Sequence, residues 1–548
     1  MASRSNPNMQ LRAPGKFIGA QMQTPMLVSE ADARTKGGVA LEINERLSQE
    51  LVIALVGPVG SGVSSAAEFL REALDSDFGY DVAPIMKPSD VIRSQVGLLG
   101  INAPASSRTA TYISEMQDAG NRLRQRFGNN YLIEKIVEKI RGYRTTKSGY
   151  DGENEVPGRR AYIIDSLKSM EELQLLRDIY RDTLCVIGVF APDKLRDERL
   201  KNLDYAEGER QKVMARDQGE LATFGQATRK LFVHSDFFVC NDRRLEDLKA
   251  SLGRFLNIVF DTAIHTPTRA ESAMYEANAA AANSACMSRQ VGVSIISASG
   301  ELIAVGWNDV PKFGGGLYSE DDRAVIDEDS KGIVDGDHRC YNWGGKKCHN
   351  EFRRHTLMDK VAIAVAETGH VRVGGRAAVR EAIGQTDINS LIEFSRSIHA
   401  EMEAILSVAR EGKHSLVGAT LYTNTYPCHN CARHIVASGI KEVVYIEPYL
   451  KSLAIELHSD VISELPDARN MVVFRQFNGI APSNFLKLFR PKGDRKDGGK
   501  LIRTPRKDAL PIFRVPLDAR RDYEDKVIAD IAVKEQHQDQ MNRPGTDQ

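Results

Sequence analysis

Short apolar runs separated by charged stretches of helical period set the pattern of the first half of the chain. Leu51 to Val56 is a run of strand length, and after a glycine-rich turn Ala66, Phe69, Leu70, Ala73 and Leu74 recur at helical spacing. Further runs at Ala161 to Ile164, Leu184 to Phe190 and Phe237 to Cys240 are separated by polar helical segments such as Met170 to Arg181. This alternation predicts a parallel sheet flanked by helices. Before it, the stretch to about Ala40 carries no sustained period and reads as a mobile arm.

Leu245 to Ile264 and Glu271 to Met287 read as helices, with a unit boundary near Thr262 to Thr268. Val291 to Ile296 and Leu302 to Val305 predict a hairpin around Ser299 and Gly300. Pro311 to Lys360 is too polar for core elements and reads as a long functional insertion. Ser397 to Ala409, Thr420 to Thr423, Cys428 to Ser438 and Val443 to Ile446 then predict helix, strand, helix, strand. The expected division is an arm over 1–40, a first α/β unit over 41–262, a second over 263–490 and a charged tail over 491–548.

With 42% hydrophobic and 27% charged residues, wholesale disorder is excluded for these 548 residues. A formal net charge of -1 provides no global field to steer the chain onto a nucleic-acid backbone. A local basic run exists, nine Lys or Arg between Lys487 and Lys507, read as a solvated segment with an RNA or phosphate contact as the sharper alternative. The opening residues hold no apolar signal core, and no apolar run approaches the roughly 20 residues of a membrane span. A cytosolic, non-membrane protein is expected, in which seven cysteines serve metal binding or catalysis rather than disulfides.

His399-Ala400-Glu401 opens one helix and Pro427-Cys428-His429-Asn430-Cys431 opens the next. His-x-Glu followed by Pro-Cys-x-x-Cys is the signature of zinc-dependent base deaminases. Cysteines at i and i+3 in a first turn face the same way, and a helix N-terminus favours their thiolates. With His399 they give three protein ligands, Cys428 and Cys431 being the other two, and leave a fourth tetrahedral position for water, as catalytic zinc sites do. Glu401 is then the proton carrier of a hydrolysis at C4 of a cytosine ring, from water to N3 and to the leaving ammonia. Cys-x-x-Cys alone would equally suit a structural knuckle or a redox pair; the paired motifs at consecutive helix starts favour the catalytic reading.

Residues Val291 to Phe489 resemble a deoxycytidylate deaminase of the cytidine deaminase superfamily. Gly306-Trp307-Asn308 is similar to that family's strand end, which implies that Asn308 binds the sugar hydroxyl, and Thr423-Asn424-Thr425-Tyr426-Pro427-Cys428 resembles its approach to the metal, with Thr425 beside the substrate. Glu447-Pro448-Tyr449 with Lys451-Ser452, His458-Ser459-Asp460 and Phe477-Asn478-Gly479-Ile480-Ala481-Pro482 resemble the bacterial anti-phage dCTP/dCMP deaminases, which join this domain to an N-terminal P-loop kinase-like domain. The resemblance implies an α/β/α deaminase domain after the parallel sheet, conversion of dCTP or dCMP to dUTP or dUMP, a role in antiviral nucleotide depletion, a homo-oligomer and a regulatory small RNA. A nucleotide substrate brings phosphates, for which Lys451, Arg353 and Arg354 are the cationic candidates. His338, Cys340, Cys348, His349 and His355 cluster in the insertion, where this family often carries a second, structural zinc or an allosteric loop.

Gly57-Pro58-Val59-Gly60-Ser61-Gly62-Val63-Ser64-Ser65 follows a strand and precedes a helix, the context of a phosphate-binding P-loop. Gly57, Gly60, Ser61, Gly62, Val63 and Ser64 are the candidate nucleotide contacts, for an NTP held or sensed there. Val63 stands where such loops hold a lysine, so efficient phosphoryl transfer is not expected. Arg122, Arg124 and Gly128-Asn129-Asn130 resemble the acceptor-binding region of nucleoside-monophosphate kinases, Asp165 a strand-end acid, and Arg196 and Arg199 a lid. Two further readings stay open: a deaminase acting on polynucleotides, and a non-catalytic P-loop sensor with structural zinc.

Overall fold

The computed structural model describes residues 46–541, apart from 105–109, 147–155, 203–206, 219–227, 243, 323–324, 327–328, 330–332, 373, 449–451 and 492. The arm expected over 1–40 and the phosphate candidate Lys451 lie outside the described residues. In the first unit the elements run β1 (Leu51–Val56), α1 (Val63–Ser76), β2 (Asp81–Val82), α2 (Ala110–Phe127), α3 (Tyr131–Thr145), β3 (Arg160–Asp165), α4 (Met170–Tyr180), β4 (Leu184–Phe190), α5 (Asp193–Lys201), β5 (Phe237–Cys240) and α6 (Leu245–Val259). The second contains α7 (Arg269–Ala281), β6 (Gly292–Ile296), β7 (Leu302–Trp307), a hairpin of β8 (Val325–Ile326) and β9 (Ile333–Asp335), α8 (His349–Glu367), α9 (Ala400–Glu411), β10 (Thr420–Thr425), α10 (His429–Ala437), β11 (Glu442–Glu447), β12 (Ile462–Ser463) and β13 (Val472–Gln476). Then come β14 (Gly479–Ile480) and a long terminal helix, α11 (Leu517–Met541).

The mixed α/β architecture expected from the pattern is present. β1 is buried on both faces, and its alternation divides its side chains between two cores. Leu51, Ile53 and Leu55 pack with α1 and α6, while Val52, Ala54 and Val56 pack with α2, α3 and α4. The sheet order is β14-β5-β4-β1-β3-β2, parallel except for β14. The second sheet runs β12-β13-β11-β10-β6-β7, with β10, β11, β13 and β12 parallel and the β6–β7 hairpin antiparallel.

The two units share a core. Ala273, Met274 and Ala277 of α7, with Tyr422, Val444 and Ile446 on one face of the second sheet, belong to the same buried cluster as Phe232 and Phe238 of the first unit. β14 crosses the division and pairs antiparallel with β5. Glu271 secures the crossing: it caps α7 with Thr268, accepts from Ile480 N at 2.8 Å and forms a two-pronged pair with Arg254 of α6, both contacts 2.8 Å. The opposite face of the second sheet packs Val293, Ile295 and Leu421 against Ala400 and Ala404 of α9 and Ala432 and Ile435 of α10.

Two expectations change. Pro311 to Lys360 is not wholly loop, because α8 starts at His349 inside it; that helix buries only Met358 and Ala362, so little apolar period marks it in the sequence. The charged tail expected over 491–548 contains α11, which docks on α3 through buried ions instead of an apolar stripe. Glu50 there receives Arg144 (3.0 Å), Arg160 (3.1 Å) and Arg520 (2.7 Å), and Arg144 also binds Glu524 at 2.6 Å. Burial alone would raise the Glu50 carboxyl, yet Arg520, Arg144 and Arg160 together hold it at about 2.

Candidate active site

The site lies where two helices begin. His399 is the N-cap residue of α9, in extended conformation (φ -78°, ψ 151°), and Cys428 caps α10 with φ -71° and ψ 165°. Because His399 precedes the helix proper, its ring folds back across the helix start instead of following the spiral that would carry it away from Glu401. His399 Nδ1 lies 3.3 Å from Cys428 Sγ and 3.3 Å from Cys431 Sγ. Among the described residues these are the three that bring metal-ligating atoms within 4.8 Å of one another. Roughly 3.5 Å between nitrogen and sulfur is what tetrahedral coordination at ordinary zinc bond lengths requires, so the donor set fits zinc.

Position depends on the backbone behind. α9 lies so close to β7 that a Cβ at Gly306 would stand 2.6 Å from Ala400 O and 2.7 Å from Ala404 N. Ile398 N donates to Asp309 O at 2.9 Å, which ties the segment entering α9 to the strand end after Asn308. Glu401 is buried, 4% exposed, and burial raises its carboxyl above the ordinary range, reinforced by the charge of Cys428. The two thiols share their hydrogen bonding unequally: Cys428 falls to about 4, through the Cys431 thiol and then the imidazole, and His399 rises to about 9 through Cys428.

Glu401, His399 and Cys428 open into a cavity of about 190 Å³ that Asn308, Thr425 and Tyr426 also line. Asn308 is placed at the cavity, but its amide is engaged by the backbone: Oδ1 accepts from Val291 N at 2.7 Å and Nδ2 donates to Arg289 O at 2.9 Å. The cations at the wall are Arg289 and Arg396, which the sequence reading did not single out, whereas Arg353 and Arg354 on α8 are not among the lining residues. Neither arginine sits in a motif, so no sequence signal marks them.

The residues of the second candidate set do not bring three metal-ligating atoms within 4.8 Å of one another. His338 Nδ1 lies 3.3 Å from Tyr318 Oη, Cys348 Sγ lies 3.5 Å from Ser288 Oγ, and the Trp343 ring packs against both His338 and His349, centroids 6.0 and 6.1 Å away.

At the P-loop the backbone turns as its glycines require. Gly60 and Gly62 have φ of 82° and 94°, and a side chain at Gly62 would collide with the Asn241 amide that bonds Ser61 O at 2.8 Å. Val63 is buried in the core beneath, so the position serves packing. Arg196 Nε and Arg199 Nη1 donate to Val59 O and Gly60 O at 2.8 and 3.0 Å, and Ser64 Oγ donates to Asp165 Oδ2 at 2.8 Å.

Comparison with known proteins bears on the same residues. Residues 267–447 match the cytidine and deoxycytidylate deaminase zinc-binding region. His399, Cys428 and Cys431 all lie within this matched region. The chain is 40% identical to the deoxycytidylate deaminase of Enterobacteria phage T4 over 93 residues, 15% of this chain and 48% of that one. It is 53% identical to the phage T2 deoxycytidylate deaminase over 55 residues, 10% of this chain and 29% of the relative. The chain thus spans less than half the length of these relatives. A UPF0200 protein of Saccharolobus islandicus is 24% identical over 202 residues, 36% of this chain and 88% of that protein. No described helix is long and apolar enough to cross a membrane.

Proposed function

We propose that the chain hydrolytically deaminates cytosine nucleotides, with deoxycytidine nucleotides as substrates, dCTP or dCMP giving dUTP or dUMP. The observation that carries this reading is the cluster of His399, Cys428 and Cys431, of which His399 and Cys428 line one cavity with the buried carboxyl of Glu401. His399, Cys428 and Cys431 would hold zinc, which when bound supplies a Lewis acid that acidifies water near neutral pH.

The chain's own groups do the rest. Glu401, with its carboxyl raised by burial, is suited to pass one proton of water to N3 of the ring, where it stays in the uracil product, and then to pass the second, from the new hydroxyl at C4, to the departing amine. Net, water adds at C4 and ammonia leaves. The N-termini of α9 and α10 point at the site and favour the thiolates and the negative charge of the carboxylate. Tyr426 and Asn308 close the cavity walls and limit bulk water. Antiviral nucleotide depletion is the biological role suggested by the motif resemblance.

The test is direct incubation with dCMP, dCTP, CMP, CTP and single-stranded oligonucleotides, following ammonia and uracil products. Turnover of free deoxynucleotides that Glu401→Gln abolishes supports the reading. Reaction with oligonucleotides alone would replace it with polynucleotide editing.

A further inference from the structure

The loop from Gly57 to Ser65 holds no charged side chain, and Val63 is buried in the core. A cation reaches it from elsewhere in the chain. Lys87 Nζ lies 3.4 Å from Asp165 Oδ2, the same oxygen that accepts from Ser64 Oγ at 2.8 Å. The ammonium thus stands one carboxylate away from the residue that follows Val63. Its backbone is fixed there: Met86 N donates to Ile163 O and Asp165 N to Met86 O, both at 2.9 Å, which laces the residue before Lys87 to the end of β3. Pro88 then opens a helix, Pro88–Gln95, and holds Lys87 in extended backbone with φ -115° and ψ 128°.

The loop itself is short of acceptors. Ser61 is fully buried, and its Oγ has no hydrogen-bond partner among the described residues. A Cβ at Gly57 would stand 2.7 Å from that oxygen, so the hydroxyl turns inward across the loop. Arg196, 1% exposed, likewise has a buried Nη2 with no partner among the described residues. In a planar guanidinium the Nε and Nη2 hydrogens lie parallel on one edge, and Nε already donates to Val59 O, so Nη2 faces the loop. α1 begins at Gly62, in left-handed backbone, with no side chain capping it and no acid in its first turn. Native structures seldom leave buried donors without acceptors, and here two of them and a helix N-terminus converge on one place. An oxygen-rich anion answers all three.

We propose that Lys87 is the phosphate-binding lysine of this loop, supplied by the segment after β2 in place of residue 63, and that the ligand is a polyphosphate, free or carried by a nucleoside triphosphate. Lys87 turns from Asp165 to the phosphate oxygens, Ser61 Oγ and Arg196 Nη2 donate to them, and the first amides of α1 face them. An ammonium on a flexible four-carbon stem makes that move without shifting the backbone, and the Lys87 side chain, 38% exposed, has room for it. The step is binding alone. The inference is independent of the deaminase reading, because none of these residues lines the Glu401 cavity.

The experiment is calorimetric binding of ATP and of inorganic tripolyphosphate, each with magnesium, to the full-length protein and to Lys87→Ala, Lys87→Arg and Lys194→Ala. Lys194, an exposed lysine of α5, controls for bulk charge. The Kd of each compound that binds is expected to rise about tenfold or more in Lys87→Ala, by less in Lys87→Arg, and not at all in Lys194→Ala. Binding of both compounds makes the ligand any polyphosphate, and binding of one alone makes it that one; dependence on Lys87 supports the assignment in each case. A parent protein that binds neither, an unchanged Kd in Lys87→Ala, or an equal loss in Lys194→Ala overturns it. So does displacement by deoxycytidine, which carries no phosphate and competes only at the Glu401 cavity.

Discussion

Phe238 of β5 and Phe477, just beyond β13, meet edge to face with ring centroids 6.0 Å apart, one ring from each sheet. Both are fully buried, so the first sheet and the second share a continuous apolar interior. Truncation of Phe477 to Ala is expected to cost about 3–5 kcal/mol, as for other buried aromatics. Chemical denaturation should show both units losing stability together; an unfolding midpoint shifted in one unit alone would contradict the shared core.

Glu401→Gln keeps the shape of the carboxyl side chain and removes its proton-carrying capacity. Turnover should fall by about 10² to 10⁴. Metal content should stay at that of the parent, because His399, Cys428 and Cys431 are untouched, and elemental analysis of the purified variant checks it.

Cys431→Ser should do the reverse. With one of three ligands weakened, bound zinc is expected to drop well below one per chain and activity to fall with it. Restoration of full activity by the variant at ordinary zinc levels would show that Cys431 does not hold the metal.

Glu50 makes folding acid-sensitive in a defined window. Its carboxyl sits at about 2 in the folded chain against an ordinary 4.5, so the folded state binds fewer protons than the unfolded one between those values. The stabilisation is complete above pH 4.5 and is lost as the pH falls toward 2. Glu50→Ala leaves Arg144, Arg160 and Arg520 facing one another and should cost about 3–5 kcal/mol at neutral pH. Thermal melts against pH should show the acid-side slope reduced in that variant.

The candidate metal set was legible because its information is local: one helix start carries His399 two residues before Glu401 and the next carries Cys428 and Cys431 three apart, so each start dictates where its side chains lie. The parallel first sheet was legible for a similar reason, since strands buried on both faces, such as Leu51–Val56, read as unbroken apolar runs. α11 was not, because its docking depends on Arg520 and Glu524 meeting Glu50 and Arg144 from more than 350 residues away in sequence, and buried ions look like surface charges in a linear pattern. The cluster of His338, Cys340, Cys348 and His349 was legible only as closeness in sequence, which does not by itself fix how their side chains meet: three of their ligating atoms do not come within 4.8 Å of one another. Arg289 lacked a signal altogether, since its place follows from where β6 meets the end of β10.

Gly479 and Ile480 together form only a two-residue strand, yet they occupy the side of β5 that would otherwise present unpaired amides and carbonyls. The first unit's sheet thus ends at one side in the two-residue β2 and at the other in a fragment contributed by its neighbour. Severed before β14, that unit would carry a bare, phenylalanine-rich margin of Phe237 and Phe238, a template for self-association. The short crossing strand therefore acts as a guard against aggregation, and it makes the two units poor candidates for separate expression.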